Sequence, residues 1–321
     1  MRASRDSTST REAWPELPYA ALRDTYATLH LWTQIVGKVR LACTPWLNHS
    51  WHVPLYLTAR GLTTSPIAYG QRSFSIDFDF IDHALVVADS EGAREDVALE
   101  PRSVADFYAA VMAALAELSL PVRIHETPNE IAEAVPFSRD TVHAHYVREH
   151  AQRLWRALLQ VQRVLSQFRT SFVGKCSPVH FFWGSFDLAV TRFSGRRAPS
   201  HPGEVPHLPR AVLREAYSHE VSSAGFWPGS GNIEYAAFYS YAYPEPAGFR
   251  AAPVEPEAAR YDPSLGEFLL PYDAVRTAAD PDAALLGFLH STYGAAADCA
   301  RWDRAALDCR PGERSVPRPI D

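Results

Sequence analysis

The stretch PVHFFWGSFDLAVTRF, residues 178–193, decides how the rest of the chain is read. On an ideal strand His180, Phe182, Phe186, Leu188, Val190 and Arg192 share one side, and Val179, Phe181, Trp183, Ser185, Asp187 and Thr191 share the other. Both sides are largely apolar. The segment therefore reads as a central strand covered on two faces, with Gly184 placed where a bulge would shift the alternation. On such a strand Asp187 and His180 need partners, because an unpaired buried charge costs several kcal/mol.

Ahead of this strand, Val147, Ala151, Leu154, Leu158, Leu165 and Phe168 recur at helical spacing and predict a helix over roughly Thr141–Ser171. After it, SHEVSSAGFW from Ser218, AAFYSYAYP from Ala236 and EFLLPY from Glu267 read as strands, and Asp280-Pro281 opens a last helix. The first half repeats this order. A helix is expected over about Tyr19–Leu41, ending before Pro45. Strands follow in HVPLYLTARGLTT from His52, FSIDFDFID from Phe74, ALVVAD from Ala84 and DVALE from Asp96. Ser103 with Asp106 then caps a second helix, and PVRIHE from Pro121 reads as a short closing strand.

The expected fold is α+β, with two similar halves, each a helix, antiparallel strands and a helix, packed as one compact unit. Residues 13–135 and 136–305 make the halves, and residues 1–12 and 306–321 are polar tails expected to be disordered. Both lysines of the chain, Lys38 and Lys175, occur in V-G-K, and HVPLYLTARGLTT can be laid over HFFWGSFDLAVTR from His52 and His180. These matches point to an internal duplication, whose pseudo-twofold axis would hold the natural pocket.

Composition narrows the function classes. A net charge of -6 and a pI near 6.1 give no electrostatic footprint for nucleic acid. No stretch approaches the ~20 apolar residues of a membrane helix, and the opening residues carry no export segment, so a cytoplasmic location is expected. Cys43, Cys176, Cys299 and Cys309 lack CxxC spacing and read as free thiols. The preference for arginine over lysine fits a bacterial coding bias, which makes the two retained lysines candidates for anion anchors or tuned amines.

The polar residues concentrate between positions 171 and 231. His180 is either a core histidine or a catalytic one, and Asp187 either pairs with an arginine such as Arg192 or moves protons. Arg192, Arg196 and Arg197 offer guanidinium forks suited to carboxylate or phosphate. His219 and Glu220 are neighbours, and with His52 and His180 they make a divalent-metal site chemically reasonable, although no HExxH-like spacing fixes it. Cys176 lies too far from His180 along an extended chain to serve as its nucleophile.

Four stretches, WPELPYAALRDTYATLHLWTQIVGK, WHVPLYLTARGLTTSPI, GKCSPVHFFWGSFDLAVTRFSGRRAP and EAYSHEVSSAGFWPG, resemble a bacterial family known only as a domain of unknown function. The resemblance spans about residues 14–305 and implies no activity.

The leading expectation is an enzyme acting on a small anionic metabolite in a groove between the halves. Lys175, Arg192 and Arg196, with Lys38 and His52 from the first half, would bind the anion. His180, His219, Lys175 and Asp187 would carry the chemistry, a divalent metal on His180, His219 and Glu220 would assist, and Trp183 and Trp227 would wall the site. The alternatives are a non-catalytic small-molecule-binding or scaffold protein using the same groove, and an interaction module built on the Pro- and Tyr-rich segment Tyr235–Pro256.

Overall fold

Helix α1 (Tyr19–Cys43) runs through the middle of the protein, and from Leu22 to Val39 it is buried on nearly every side. A computed structural model describes residues 13–231 and 233–318. Apolar side chains alone do not cover that helix. Thr25, Thr28, Thr33, Gln34 and Lys38 are buried too, and the local structure satisfies them. Gln34 exchanges two hydrogen bonds with the backbone of Asn129, and the Lys38 ammonium donates to the Thr127 carbonyl at 2.8 Å. The helix stops at Thr44, which is extended as the residue before Pro45 must be.

The first sheet is antiparallel throughout. Its strands are β1 (Tyr56–Leu57), β2 (Gly61–Thr63), β3 (Ile67–Tyr69), β4 (Arg72–Asp79), β5 (Ala84–Asp89) and β6 (Arg94–Ala98), in the order β1-β2-β4-β5-β6, with β3 pairing β4. Phe74, Ile76 and Phe78 of β4 are buried while the residues between them are half-buried, the period-2 pattern of a sheet with one covered face. That face packs on α2 (Val104–Glu117), where Phe107 stacks between Phe78 and Trp32 of α1. The α2 start follows the expected cap, Ser103 accepting from the Asp106 amide.

The second sheet, also antiparallel, has the order β11-β12-β10-β9-β8-β7. Its strands are β7 (His180–Phe182), β8 (Asp187–Arg197), β9 (His219–Trp227), β10 (Ala237–Tyr243), β11 (Arg260–Asp262) and β12 (Glu267–Pro271). One face, through Leu188, Val190, Phe226, Phe238 and Leu270, packs on the long helices α3 (Arg148–Arg169) and α6 (Pro281–Cys299). Three short helices complete the described residues: α4 (Arg210–Ala216), α5 (Tyr272–Arg276) and α7 (Arg304–Leu307).

Four expectations change. Residues 178–193 are not one strand but a tight hairpin turning at Trp183–Phe186, with Phe186 at φ 57°. The turn resets the alternation, so His180 pairs with Ala189 and lies on the same face as Asp187 and Thr191. The PVRIHE segment forms no strand. Residues 306–318 do not hang free: Val173 donates to the Leu307 carbonyl and Gly312 to the Thr170 hydroxyl, while residues 1–12 and 319–321 lie outside the described ones. The two V-G-K tripeptides differ in setting, the first inside α1 and the second beyond the end of α3, so they lend a duplication no support. The helix, antiparallel sheet, helix order does occur in both halves.

The two sheets meet edge to edge just before β1. Leu55 and Phe181 exchange backbone hydrogen bonds of 2.9 and 3.0 Å. Two residues on, the Trp183 indole donates to the Val53 carbonyl at 2.9 Å and lies flat on α1 over Gly37. A Cβ at Gly37 would fall 2.2 Å from the indole nitrogen, a contact no side chain tolerates. Gly37→Ala is therefore expected to displace Trp183 and cost about 1–3 kcal/mol by overpacking, against the slight gain alanine brings to an ordinary helix position. Urea unfolding of the variant checks this, and unchanged stability would contradict the packing described.

Candidate functional site

The second face of the second sheet is not packed on a helix layer. Asp187, Ala189, Thr191 and Phe193 of β8, Val221 and Ser223 of β9 and Tyr239 and Tyr241 of β10 point away from α3 and α6 and form the floor of a cavity of about 350 Å³. Residues from both halves line it. Its walls are Phe182 and Trp183 from the hairpin, and its roof is the segment 46–53 together with α4.

The roof is tied to α4 at two points and braced within itself at a third. The Trp46 indole donates to the Glu215 carboxylate, His49 Nδ1 to the Ala216 carbonyl at 3.1 Å, and Leu47 N to His52 Nδ1 at 3.2 Å. His49 and Ser50 both adopt left-handed backbone conformations, φ 58° and 57°, which non-glycine residues hold only where their surroundings enforce it. Here the enforcement comes from α4 on one side and from Lys175 on the other. The Lys175 ammonium donates to His49 Nε2 at 2.8 Å and lies 5.0 and 4.8 Å from the Trp51 and Phe193 ring centroids. Both nitrogens of His49 are thus engaged, with Nδ1 carrying the hydrogen. Burial, with Lys175 and His219 nearby, lowers its pKa.

Asp187 is the polar centre of the floor. It is 6% exposed, accepts from the Ser185 hydroxyl and the Tyr239 phenol, and has no cationic partner among the described residues. Gly225 makes the Tyr239 contact achievable: it lies across from Tyr239 on β9, and a Cβ there would fall 2.5 Å from the phenol oxygen. Burial raises the Asp187 carboxyl to about 6, against the two hydrogen bonds that favour its charged form.

Two further acids share this environment. Glu130, in a left-handed conformation at φ 63°, lays its carboxylate over Gly184 and faces the cavity. The residue is exposed to solvent on one side, but its carboxyl lies against Gly184, and the desolvation there, then the charge of Asp187, raises it to about 7. Glu267 begins β12 on the same sheet face as Tyr239 and is raised to about 7 by burial and by Asp187. Around them Tyr217 and Tyr241 join hydroxyls at 3.0 Å, and Thr191 joins Ser223 at 2.9 Å.

Several anticipated site residues lie elsewhere. Arg192 faces the helix layer, not the cavity; its guanidinium bonds the Phe168 carbonyl and Ser171 hydroxyl and sits 3.5 Å from the Phe168 centroid. Arg196 forks onto Glu220 and reaches the Ala300 and Arg301 carbonyls, capping the end of α6. Lys38 is buried against Thr127. His52 braces the roof from outside the cavity, and Trp227 lies on the same sheet face beyond the cavity floor.

The histidines expected to hold a metal do not converge. His180 pairs with Ala189 near the start of β8 and His219 with Arg197 at its end, and the rings of Trp51 and His49 stand between the two imidazoles. Glu220, next to His219, points to the opposite face and is engaged by Arg196 and Ser194. No cluster of three metal-ligating side chains occurs among the described residues.

Of the remaining anticipated residues, Trp183 lies in the cavity wall and Asp187 at its floor, while Lys175 stands at its rim behind His49. Glu130 and the phenols of Tyr217, Tyr239 and Tyr241 were not singled out from sequence. For the tyrosines the signal was present in AFYSYAY, where alternate tyrosines mark a single sheet face too polar for a core. Glu130 carries no such signal, because it lies within the long connection between α2 and α3 and only the fold brings it over Gly184.

An α+β protein with a roofed, aromatic sheet face is the class these elements define. The chain belongs to the DUF5996 family, a family of unknown function, whose pattern matches residues 14–309. No curated protein and no solved structure matches it. No helix among the described residues is long and apolar enough to cross a membrane.

His180 gives the fold a pH signature. It is 1% exposed in a box of Trp51, Tyr56 and Phe182 rings, neither ring nitrogen has a partner among the described residues, and burial with Arg40 and Arg169 nearby lowers its pKa to about 3. The unfolded imidazole titrates near 6.5, so between pH 6.5 and 3 the unfolded chain binds the proton that the folded one refuses. The stabilisation is present above 6.5 and lost as pH falls through that window. His180→Met is expected to remove about 2 kcal/mol of the stability difference between pH 7 and pH 5, read from urea unfolding at both values. An unaltered difference would mean that His180 is protonated in the fold.

Proposed function

We propose that the chain is a bacterial, cytoplasmic protein that binds a small organic molecule in the cavity between its two halves. Asp187 would be the group that exchanges a proton with the ligand. The observation that carries this reading is a nearly fully buried carboxyl at the floor of an aromatic cavity, held by a phenol and a hydroxyl and by no cation. A purely structural acid in such surroundings is ordinarily paired with a base. An acid poised at about 6 is instead matched to proton transfer near neutral pH.

The volume of about 350 Å³, the predominance of aromatic walls and the few convergent polar groups are the usual makeup of a ligand site. Four free cysteines support the cytoplasmic setting and the arginine-rich, lysine-poor composition supports the bacterial one. The same cavity serves an enzyme or a ligand-holding protein, and Asp187 separates the two. In an enzyme Asp187→Asn binds and fails to turn over, whereas in a holding protein it changes affinity alone.

A thermal-shift screen of soluble metabolites against the wild-type chain and Thr191→Phe tests the reading. Thr191 points into the cavity from mid-strand, so the phenyl ring fills it. Metabolites that raise the melting temperature of the wild type by several degrees are expected to leave the filled variant unmoved. Equal shifts in both proteins would place ligand binding elsewhere and remove the proposal.

A further inference from the structure

The charge of the cavity identifies the kind of ligand it takes. Among its lining residues are two carboxylates, Glu130 and Asp187, and no lysine or arginine. Of the three cations expected to hold an anion, Arg192 is committed to the helix layer and Arg196 to the end of α6. Lys175 stays outside the lining, its ammonium on His49. An anion at the floor would meet two acidic side chains, one of them buried, with no lysine or arginine among the lining residues to offset them. A cation would meet the opposite.

The two carboxylates differ in what they have left to offer. Asp187 already accepts from Ser185 and Tyr239. The Glu130 carboxyl accepts no hydrogen bond and makes no ion pair among the described residues, although its backbone N–H donates to the Pro206 carbonyl at 2.8 Å. Its carboxyl lies over Gly184 at the open edge of the cavity, where it is free to take a donor from a ligand. Trp183 and Tyr239 flank this end, and aromatic faces attract cations further when water is excluded. From there β8 runs as an uncharged track, Ala189, Thr191 and Phe193, toward the roof.

We propose that the ligand of this cavity is an amine: a protonated, N–H-bearing nitrogen that binds between Glu130 and Asp187, with an apolar body lying along Ala189, Thr191 and Phe193. The inference rests on the small-molecule reading above and adds the sign of the charge and the orientation. A primary amine titrates near 10 and is fully charged at neutral pH. It brings the donors that Glu130 lacks, and its proton is the one Asp187 is placed to share.

Calorimetric titration of the full chain with 2-phenylethylamine and with 3-phenylpropionate, which share ring and chain length but differ in the sign of the head, tests it. The amine is expected to bind at least about tenfold more tightly than the carboxylate, and Glu130→Gln and Asp187→Asn are each expected to weaken it by about tenfold. Glu130 has no internal partner to lose, so its variant keeps the test valid if Asp187→Asn fails to fold. Stronger binding of the carboxylate would overturn the amine assignment while leaving the cavity as a ligand site. Amine binding indifferent to both substitutions would overturn it as well. Binding of neither probe at millimolar concentration would overturn it, and the metabolite screen then decides whether the wider reading stands.

Discussion

Everything about the site depends on how the two sheets are joined. Two backbone hydrogen bonds between Leu55 and Phe181 fix the edge of one sheet to the edge of the other, and the Trp183 indole locks the seam by bonding Val53 and lying in the notch that Gly37 leaves in α1. The chain that leaves this seam toward the N-terminus, residues 46–53, is thereby carried across the second sheet as a roof, where α4 and Lys175 hold it. Without the seam the sheet face would be an open surface. With it, the face becomes a cavity with Asp187 buried at its floor and Glu130 at its exposed edge.

That enclosure explains the chemistry better than any single residue does. Asp187, Glu130 and Glu267 are all raised for the same first reason, desolvation, and the latter two are raised further by the charge of Asp187. A protein that wanted these acids quiet would set an arginine among them. The sequence has an arginine on β8, five residues from Asp187, but Arg192 lies on the opposite face, enclosed by Phe168, Phe172 and Tyr293. Its role is to fill the seam between the sheet and the helices α3 and α6, where one guanidinium nitrogen donates to a helix-end carbonyl and a hydroxyl. The acids on one face and the guanidinium on the other are kept apart by the sheet itself.

The helices and most strands were legible because their signals are local: the Ser103 cap, the Asp280-Pro281 start, the period-2 run of β4. The density of polar residues after position 171 was legible too, and Asp187 and Trp183 within it lie at the cavity. What misled was the period of residues 178–193. Gly184-Ser185 is a hairpin signal, but read as a bulge within one strand it carried too little weight, and Phe186 takes a left-handed conformation that its side chain does not announce. One reset of the alternation moved His180 to the cavity face and kept Arg192 on the helix side. The V-G-K match misled for a related reason: Gly37 answers to Trp183 and Gly174 to Leu307 and Phe172, so identical letters serve unrelated contacts.

The central claim, that the joined sheets enclose Asp187 beneath a roof without pairing it to a cation, is most directly tested by following the Asp187 carboxyl carbon by NMR through a pH titration of the unliganded chain. An enclosed, unpaired carboxyl held by Tyr239 and Ser185 titrates near 6, and replacing Tyr239 by phenylalanine moves the midpoint higher because a donor to the charged form is lost. A midpoint at or below the ordinary aspartate range near 4, unmoved by the same substitution, would mean that the carboxyl stands in water or beside a cation, and would contradict the account.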